Sequence, residues 1–381
     1  MIPYGRQDIR QDDIDAVVET LTSDFLTQGP KVPAFEKAVA SAVGADHCVA
    51  ANSATSALHI ACLALGLGEG DLLWTSPITF VASANVGHLC GAEVDFVDIE
   101  PETFNMSPRA LEAKLETAKQ EGRLPKVLMP VHMCGQSADM RKIGGLARAY
   151  GVSVIEAASH AIGGRHEDRP VGRCDYSDIS VFSFHPVKIV TTAEGGAATT
   201  QNPELAERMR LFRSHGVTRA ADLLQRASPG PWYYEQLELG LNYRLTDLQA
   251  ALGVAQMQRL DTYVARRNEL ADRYDRLLGN LPLDRPGRDE NAYSAFHLYV
   301  VRVDEVRRRE VFEKMRGHGI GVNVHYIPVH TQPYWQQRGF ETGQFPAAEN
   351  YYARAITIPL YPGMSEADQD EVVARLTEAL A

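Results

Sequence analysis

Residues 126–157, KVLMPVHMCGQSADMRKIGGLARAYGVSVIEA, contain two apolar segments separated by a segment with helical character. The two segments, KVLMPVH at 126–132 and VSVIEA at 152–157, are rich in β-branched residues and predict strands. Because a strand, a helix and a second strand follow one another, the pattern predicts a parallel sheet with helices on both faces. The apolar character of residues 152–155 fits a strand that is buried on both sides.

The same alternation extends towards the N-terminus. HCVAA at 47–51 predicts a short strand, and ATSALHIACLALGL at 54–67 predicts a helix that is apolar on nearly every side. Two further strands are predicted from DLLWT at 71–75 and EVDFVDI at 93–99. We therefore expect the first part of the chain to form one large α/β layer.

The pattern changes after about residue 240, where a long helical stretch runs from Thr246 to Leu277. Beyond it we expect a strand in SAFHLYVVRV (294–303), a helix in 307–319, a strand in VNVHY (322–326) and a final helix beginning at Ser365. We predict a large domain at 1–255, with an N-terminal arm, and a smaller C-terminal α/β domain at 256–381.

The composition restricts the class of protein. The chain has 381 residues, a net charge of −11, 45% hydrophobic residues and 23% charged residues, which is typical of a folded globular chain. The acidic balance argues against a nucleic-acid partner. Five scattered cysteines without a CxxC pair argue against a disulfide framework or a zinc site and favour a reducing compartment.

Neither a membrane nor a metal ion is expected as a partner. No stretch reaches the roughly 18 uninterrupted apolar residues of a spanning helix. The first fifteen residues lack the apolar core of a signal peptide, so we expect a cytoplasmic protein. The twelve histidines include no HxxxH pair on a predicted helix, which makes a metal site improbable.

Two loops follow predicted strands and carry candidate chemistry. In the first, Asn52–Ser56, small hydroxyl residues precede a helix, whose free N–H groups and positive dipole end suit a phosphate. Alternatively, Ser53 is only a helix cap. In the second, the strand 179–184 delivers Ser183 and then Lys188, whose amine would lie at the carboxyl edge of the sheet.

Desolvation would lower the pKa of the Lys188 amine and make it a nucleophile for a carbonyl. A surface lysine after a turn is the common alternative for any single lysine. A phosphate site combined with a buried amine, however, describes pyridoxal phosphate held as a Schiff base. A third polar loop, Gly240–Arg244, has no function that its spacing predicts.

Six segments together resemble the sugar-nucleotide aminotransferases of the DegT/DnrJ/EryC1/StrS group, in the order found in that family. They are NSATSALH, SPITFVASAN, VIEAASHAIGG, FSFHPVKIVTTAEGG, LNYRLTDLQAALG and HYIPVH. The resemblance covers nearly the whole chain. It implies the aspartate-aminotransferase fold (fold type I) and pyridoxal 5′-phosphate as cofactor.

Within the group, IPYGRQDI, FLTQGP and NSATSALHIACLALGLGEGD are most similar to the transaminases of pseudaminic acid biosynthesis. That similarity implies transfer of an amino group from glutamate to C4 of a UDP-linked 4-keto-6-deoxy-N-acetyl hexosamine. Amination at C3 and other dTDP- or GDP-linked ketosugars remain open. The sugar 3-dehydratase branch of the group carries histidine at the Schiff-base position, so Lys188 argues against it.

The resemblance also assigns roles to individual residues. Lys188 would bind the cofactor covalently and later move a proton, Phe80 would stack on the pyridine ring, and His160 would approach the phenolic oxygen. Three residues would hold the cofactor phosphate: Ala54, Thr55 and Ser183. Asn242 would reach the phosphate of a neighbouring subunit, which implies a homodimer with two shared sites. Four residues would lie on the nucleotide-sugar side: Thr27, Gln28, Tyr326 and His330.

One position departs from the family pattern V-I-E-D-A-x-H-A, because Ala157 stands where an aspartate would pair with the pyridine nitrogen. Glu156 is not an obvious substitute, since adjacent strand residues point to opposite faces. Loss of a buried charge partner typically costs several kcal/mol, or several decades of rate. Three explanations are open: an engineered substitution, an enzyme that tolerates a neutral nitrogen, or a non-catalytic binding or regulatory protein. We favour the first, because the other cofactor positions are intact.

Overall fold

A computed structural model describes residues 1–381 and contains thirteen α-helices and fourteen strands. The helices are α1 (Gln11–Leu21), α2 (Lys31–Val43), α3 (Ala54–Ala64), α4 (Ala82–Leu89), α5 (Pro108–Glu121), α6 (Met140–Tyr150), α7 (Pro203–Arg213), α8 (Asp247–Met257), α9 (Leu260–Leu277), α10 (Glu305–Gly317), α11 (Pro333–Gln336), α12 (Pro346–Arg354) and α13 (Glu366–Leu380). The strands are β1 (His47–Ala51), β2 (Leu72–Thr75), β3 (Glu93–Phe96), β4 (Val127–Met129), β5 (Ser153–Ala157), β6 (Arg165–His166), β7 (Arg169–Pro170), β8 (Ile179–Ser183), β9 (Gly196–Thr200), β10 (Val217–Thr218), β11 (Glu235–Gln236), β12 (Ala292–Tyr293), β13 (Tyr299–Arg302) and β14 (Ala355–Ile358).

Seven strands form the central sheet in the order β1-β9-β8-β5-β4-β2-β3. The pairs β8/β5, β5/β4, β4/β2 and β2/β3 are parallel, and only β9 runs against its two neighbours. The mostly parallel sheet predicted from the sequence is therefore confirmed. Parallel strands bring their carboxyl ends to one edge, where ligands bind in sheets of this type.

Both faces of the sheet are covered. Along β1, Val49 and Ala51 pack into a cluster with α3, α4 and α7, whereas Cys48 and Ala50 pack on the other face with α2, α8 and the start of α9. This alternation follows from the two-residue period of a strand. The apolar sequence of β1 is thus explained by burial on both sides.

The C-terminal part forms a smaller α/β unit around the antiparallel pair β13/β14, on which α10 and α13 pack. Helix α9 takes part in both units. Its residues Leu260 and Val264 pack against the large sheet, and Leu270 and Tyr274 belong to the core of the small unit. The packing thus changes within α9, and the boundary at residue 255 stays a prediction.

Arg267 lies between these two groups on α9 and is 1% exposed. Its Nη1 atom donates to the backbone carbonyls of Phe296, His297 and Leu360 at 3.1, 3.3 and 3.0 Å. Burial lowers the pKa of Arg267 to about 10, so the guanidinium stays charged at neutral pH. The three carbonyls supply the polar partners that a buried charge requires.

Three local details differ from expectation. The stretch from Thr246 to Leu277 is two helices, α8 and α9, rather than one. Residues 322–326 are not a strand, because only Asn323 pairs, with Thr357, and its side-chain oxygen accepts the N–H of Val324 instead of continuing a ladder. The partner of β13 is β14, which the sequence analysis missed. None of the thirteen helices combines the length and the apolar content that a transmembrane span needs.

Candidate active site

A cavity of about 600 Å³ opens at the carboxyl edge of the central sheet. The ends of β5 and β8 and the start of α3 form part of its wall. Eight of the residues assigned from the sequence line it together: Ala54, Thr55, Phe80, Ala157, His160, Ser183, Lys188 and Tyr326. The loops that follow separate strands are thus brought to one place, as parallel topology requires.

The start of α3 offers unpaired donors to this cavity. Ser53 caps the helix, because its Oγ atom accepts the N–H of Ser56 at 3.1 Å. The N–H groups of Ala54 and Thr55, which come next, donate to no other group in the chain. A helix start with free N–H groups and the positive dipole end suits an anion. Ser53 is therefore a cap, and the N–H groups of its two neighbours are free to bind an anion.

Gly196 on β9 lets the start of α3 come this close to the sheet. A Cβ atom at this position would lie 2.5 Å from both the nitrogen of Ala54 and the carbonyl oxygen of Ser53. Real Cβ atoms do not make such contacts. The phosphate site thus depends on a residue outside the loop that forms it.

Lys188 follows β8 and lies in the cavity wall. Desolvation lowers the pKa of its amine to about 7, so about half of it is neutral at neutral pH. Its Nζ atom lies 3.4 Å from the Nε2 atom of His297, which is 4% exposed. The lowered pKa agrees with the desolvation expected from the sequence, and the histidine partner is one that the sequence analysis missed.

His297 belongs to a group of three buried histidines. Its ring centroid lies 4.4 Å from that of His160, and His325 lines the same cavity. Burial lowers the pKa of all three, to about 4 for His325, and the Lys188 charge lowers them further. All three imidazoles are therefore neutral at pH 7. A histidine inside the apolar segment SAFHLYVVRV was the available sequence signal for His297.

His160 carries an unused donor. Its Nε2 atom lies 3.1 Å from the Tyr326 hydroxyl, and burial raises the pKa of that hydroxyl above its ordinary value. The protonated hydroxyl can donate to Nε2, which leaves the proton of His160 on Nδ1, where the chain provides no partner. Phe80, at 61% exposure, lies at the opening with its ring centroid 6.2 Å from that of Tyr326.

Ala157 presents only a methyl group to the cavity, and the neighbouring glutamate cannot replace a carboxylate there. Glu156 is 5% exposed and accepts hydrogen bonds from His132, at 2.7 Å, and from the Ser177 hydroxyl. The His132 Nδ1 atom accepts the N–H of Ala138, so the proton lies on Nε2 and is donated to Glu156. Both carboxylate oxygens are thus engaged away from the cavity. Glu194, the one cavity-lining carboxylate, is exposed.

Four assigned residues lie outside this cavity. His330 is fully buried beside Phe345 with its Nε2 atom 2.9 Å from Glu349, so its assignment to the nucleotide-sugar side is corrected: it packs between elements of the protein. Thr27, Gln28 and Asn242 are exposed on the surface, and Gln28 lines a separate groove. In this chain alone, Asn242 therefore does not reach the phosphate site.

Comparison with known proteins identifies the family. A sequence model of the DegT/DnrJ/EryC1/StrS aminotransferase family matches residues 7–377. The chain belongs to this family. Its enzymes are pyridoxal-phosphate-dependent sugar aminotransferases, and the chain is one of them. The aspartate-aminotransferase fold expected from the sequence is confirmed.

Two kinds of relative illustrate the similarity. The spore coat polysaccharide biosynthesis protein SpsC of Bacillus subtilis is 41% identical over 379 residues, which cover 98% of this chain and 95% of SpsC. Among solved structures, PseC of Helicobacter pylori, an aminotransferase of pseudaminic acid biosynthesis, has a TM-score of 0.90 at 29% identity and covers 100% and 99% of the two chains. The sugar aminotransferase Spr1654 of Streptococcus pneumoniae, in a PMP form, has a TM-score of 0.91 at 28% identity over 100% and 99%.

The residues of this chain fit pyridoxal phosphate at three points. The N–H groups of Ala54 and Thr55 suit its phosphate, the amine of Lys188 suits its aldehyde, and the unpartnered Nδ1 atom of His160 suits its phenolic oxygen. At Ala157 the wall provides no charge for a protonated ring nitrogen. The residues present therefore fit the cofactor at these three points and lack a charge partner for its ring nitrogen.

Proposed function

We propose that this protein transfers an amino group from glutamate to the C4 ketone of a UDP-linked 4-keto-6-deoxy-N-acetyl hexosamine, as in pseudaminic acid biosynthesis. The observation that carries the reaction class is the amine of Lys188 in the same cavity as the free N–H groups of α3. The similarity to PseC over the whole chain supports the substrate.

In this proposal the residues of the cavity bind, orient and move protons. The bound cofactor supplies an aldehyde for amine exchange and a ring that withdraws electrons. Ala54, Thr55 and Ser183 hold its phosphate, and Phe80 covers one face of the ring at the cavity opening. Lys188, about half of which is neutral at pH 7, would bind the cofactor aldehyde and, once released, would hold and move a proton at its Nζ atom.

A homodimer forms part of the proposal. Helix α1 turns Ile14, Val18 and Leu21 outwards, and each is about half exposed, at 47%, 53% and 58%. An apolar stripe at this spacing suits a second copy of the chain. In such a dimer the exposed Asn242 reaches the phosphate site of the partner subunit.

Mixed dimers test the shared site. A dimer of one Lys188→Ala chain and one Asn242→Ala chain has one fully intact site if Asn242 acts across the interface. We expect neither homodimer to be active and the mixture to regain activity. A mixture as inactive as its parents contradicts the shared site.

A second candidate, supported by the higher identity to SpsC than to PseC, is amination of a different nucleotide-linked ketosugar. Incubation of the pyridoxal-phosphate-loaded protein with glutamate and a set of UDP- and dTDP-ketosugars, followed by mass spectrometry, separates the two. Amination of the UDP-4-ketosugar supports the proposal, whereas amination of a dTDP-3-ketosugar alone removes it.

A family member that binds the cofactor without turnover is the third candidate, and Ala157 favours it. The visible spectrum with glutamate decides this case, because only a transaminase converts its cofactor to the pyridoxamine form.

We place the enzyme in the cytoplasm, since all five cysteines are free, which is typical of a reducing compartment.

A further inference from the structure

Two cysteine side chains meet where α3 packs on α4. Cys62 lies on α3 and is fully buried, whereas Cys90 ends α4 and is only partly buried. Both pack into the core cluster on one face of the central sheet, and the Cys62 thiol donates a hydrogen bond to the Cys90 sulfur. A buried thiol is thus in contact with one that a small molecule in solvent can reach.

A histidine completes this group. His59 lies one turn before Cys62 on α3, so the two side chains share a face of the helix, and His59 also hydrogen-bonds to Cys90. Its Nδ1 atom lies 3.2 Å from the hydroxyl of Tyr243, whose pKa is raised by burial and by the charge of Cys90. The protonated hydroxyl can donate to Nδ1, which leaves the imidazole proton on Nε2 for the Cys90 sulfur.

The two thiols differ in how readily they ionise. The hydrogen bond from Cys62 lowers the pKa of the Cys90 thiol, burial raises it and the hydrogen bond from His59 lowers it again, so the pKa lies below its ordinary value. The hydrogen bond to Cys90 and burial raise the pKa of the Cys62 thiol well above its ordinary value. Because the thiolate is the reactive form, Cys90 suits attack on an oxidant, and Cys62 is placed to react with the product.

We propose that Cys62 and Cys90 form a peroxide-sensitive dithiol, which hydrogen peroxide converts to a disulfide between α3 and α4. The Cys90 thiolate attacks one peroxide oxygen, the O–O bond breaks and hydroxide leaves, so that Cys90 becomes a sulfenic acid. The Cys62 sulfur then attacks the Cys90 sulfur, the S–S bond forms and the S–O bond breaks. The hydroxyl leaves as water with the proton of Cys62, and the two electrons of the dithiol have reduced the peroxide.

This modification site does not depend on the proposed function, but it adjoins the candidate active site. Ala54 at the start of α3 and Ala82 at the start of α4 both line the cavity. The disulfide would therefore join two helices that begin in the cavity wall.

Mass spectrometry of the pyridoxal-phosphate-loaded protein, after treatment with hydrogen peroxide and blocking of the remaining thiols, tests the pair. Cleavage after lysine and arginine leaves both cysteines on one peptide, residues 38–109. A second cleavage after Glu69 separates Cys62 from Cys90 unless a disulfide joins them. We expect the two fragments to stay joined until dithiothreitol is added, because a thiol reductant breaks the S–S bond.

Variants assign the bridge to the two sulfurs. We expect Cys62→Ala and Cys90→Ala each to abolish it. Cys48→Ala is the matched control, because Cys48 shares a fragment with Cys62 but packs on the opposite face of the sheet, and we expect it to keep the bridge. In His59→Leu, alkylation of Cys90 by iodoacetamide at pH 7 should be several-fold slower, since the thiolate loses a donor.

The proposal is overturned if peroxide gives no joined fragments, or if they stay joined in Cys62→Ala. Oxidation of Cys90 to a sulfinic acid without a bridge overturns it as well, because Cys62 would then not reach the Cys90 sulfur in time. A sulfenic acid on Cys90 of Cys62→Ala, trapped by dimedone, supports the order of the two steps.

Discussion

The Nε2 atom of His297 lies 3.4 Å from the Nζ atom of Lys188, and no other side chain hydrogen-bonds that amine. His297 comes from the segment that leads into β13, more than one hundred residues away in the sequence. It is neutral at pH 7, so its Nε2 atom can accept a hydrogen bond from the ammonium form of Lys188 without placing a second charge beside it. His297 is therefore a positioning residue for the amine.

Replacement of His297 by leucine removes this acceptor. Because a hydrogen bond to a charged group contributes about 1.5–3 kcal/mol, its loss disfavours the ammonium form and lowers the pKa of Lys188 by about one pH unit or more. The rate of pyridoxal phosphate capture by the apo-protein, followed against pH by absorbance, should show the lower midpoint. His318→Leu on the surface of the small unit is the control, and an unshifted midpoint in His297→Leu contradicts the role.

The pKa of Lys188 also makes stability depend on pH. In the folded apo-protein the amine loses its proton near pH 7, whereas in the unfolded chain it keeps it to about pH 10.4. Between these values the unfolded state binds more protons, so stability rises with pH, by at most about 1.4 kcal/mol per pH unit. Urea unfolding at pH 7 and pH 9 should show this rise, and Lys188→Met should remove it. If the free energy of unfolding rises equally between pH 7 and pH 9 in the Lys188→Met variant and the unmodified protein, the amine is not desolvated.

Ala157→Asp places a carboxylate in the cavity wall. We expect the reaction of the bound cofactor with glutamate to become faster by about one to three decades, because a buried counter-charge is typically worth several kcal/mol. The apo-protein should be less stable, since that carboxylate is then buried without a partner. Stopped-flow absorbance measures the rate. The control is Ala157→Asn, which has nearly the same shape as the aspartate variant without its charge. If the aspartate variant is no faster than the asparagine variant, the missing charge at position 157 does not limit the rate.

Gly196→Ala tests the phosphate site without changing a residue of that site. The new methyl group meets the backbone of Ser53 and Ala54, so α3 must shift, at a cost of about 1–3 kcal/mol in the free energy of unfolding. We expect the affinity for pyridoxal phosphate to fall about tenfold or more, as measured by equilibrium dialysis. Gly145→Ala in α6, where nothing lies within 4 Å of the new atom, should keep the affinity. If Gly196→Ala and Gly145→Ala bind pyridoxal phosphate equally well, the phosphate site does not depend on Gly196.

The large unit could be predicted from the sequence because its signals are local. Strand periodicity and order along the chain are sufficient to bring Ser53, Ser183 and Lys188 to one edge of a parallel sheet. The opposite wall could not be predicted in this way. His297 and Tyr326 reach the cavity only through the packing of the second unit, which no local pattern records.

The same limit explains the errors. His330 is close to Tyr326 in the sequence, but the chain turns between them and buries His330 against Glu349. Residues 322–326 have strand-like alternation, yet only one of them pairs.

Arg267 connects helix α9 to the candidate active site, although the side chain itself does not line the cavity. The Arg267 guanidinium donates a hydrogen bond to the backbone carbonyl of His297, and the imidazole of His297 faces the amine of Lys188. The position of the His297 imidazole therefore depends in part on a buried cation that does not line the cavity. A substitution of Arg267 would thus act on the reactive amine through the backbone of His297, without replacing any residue of the cavity wall.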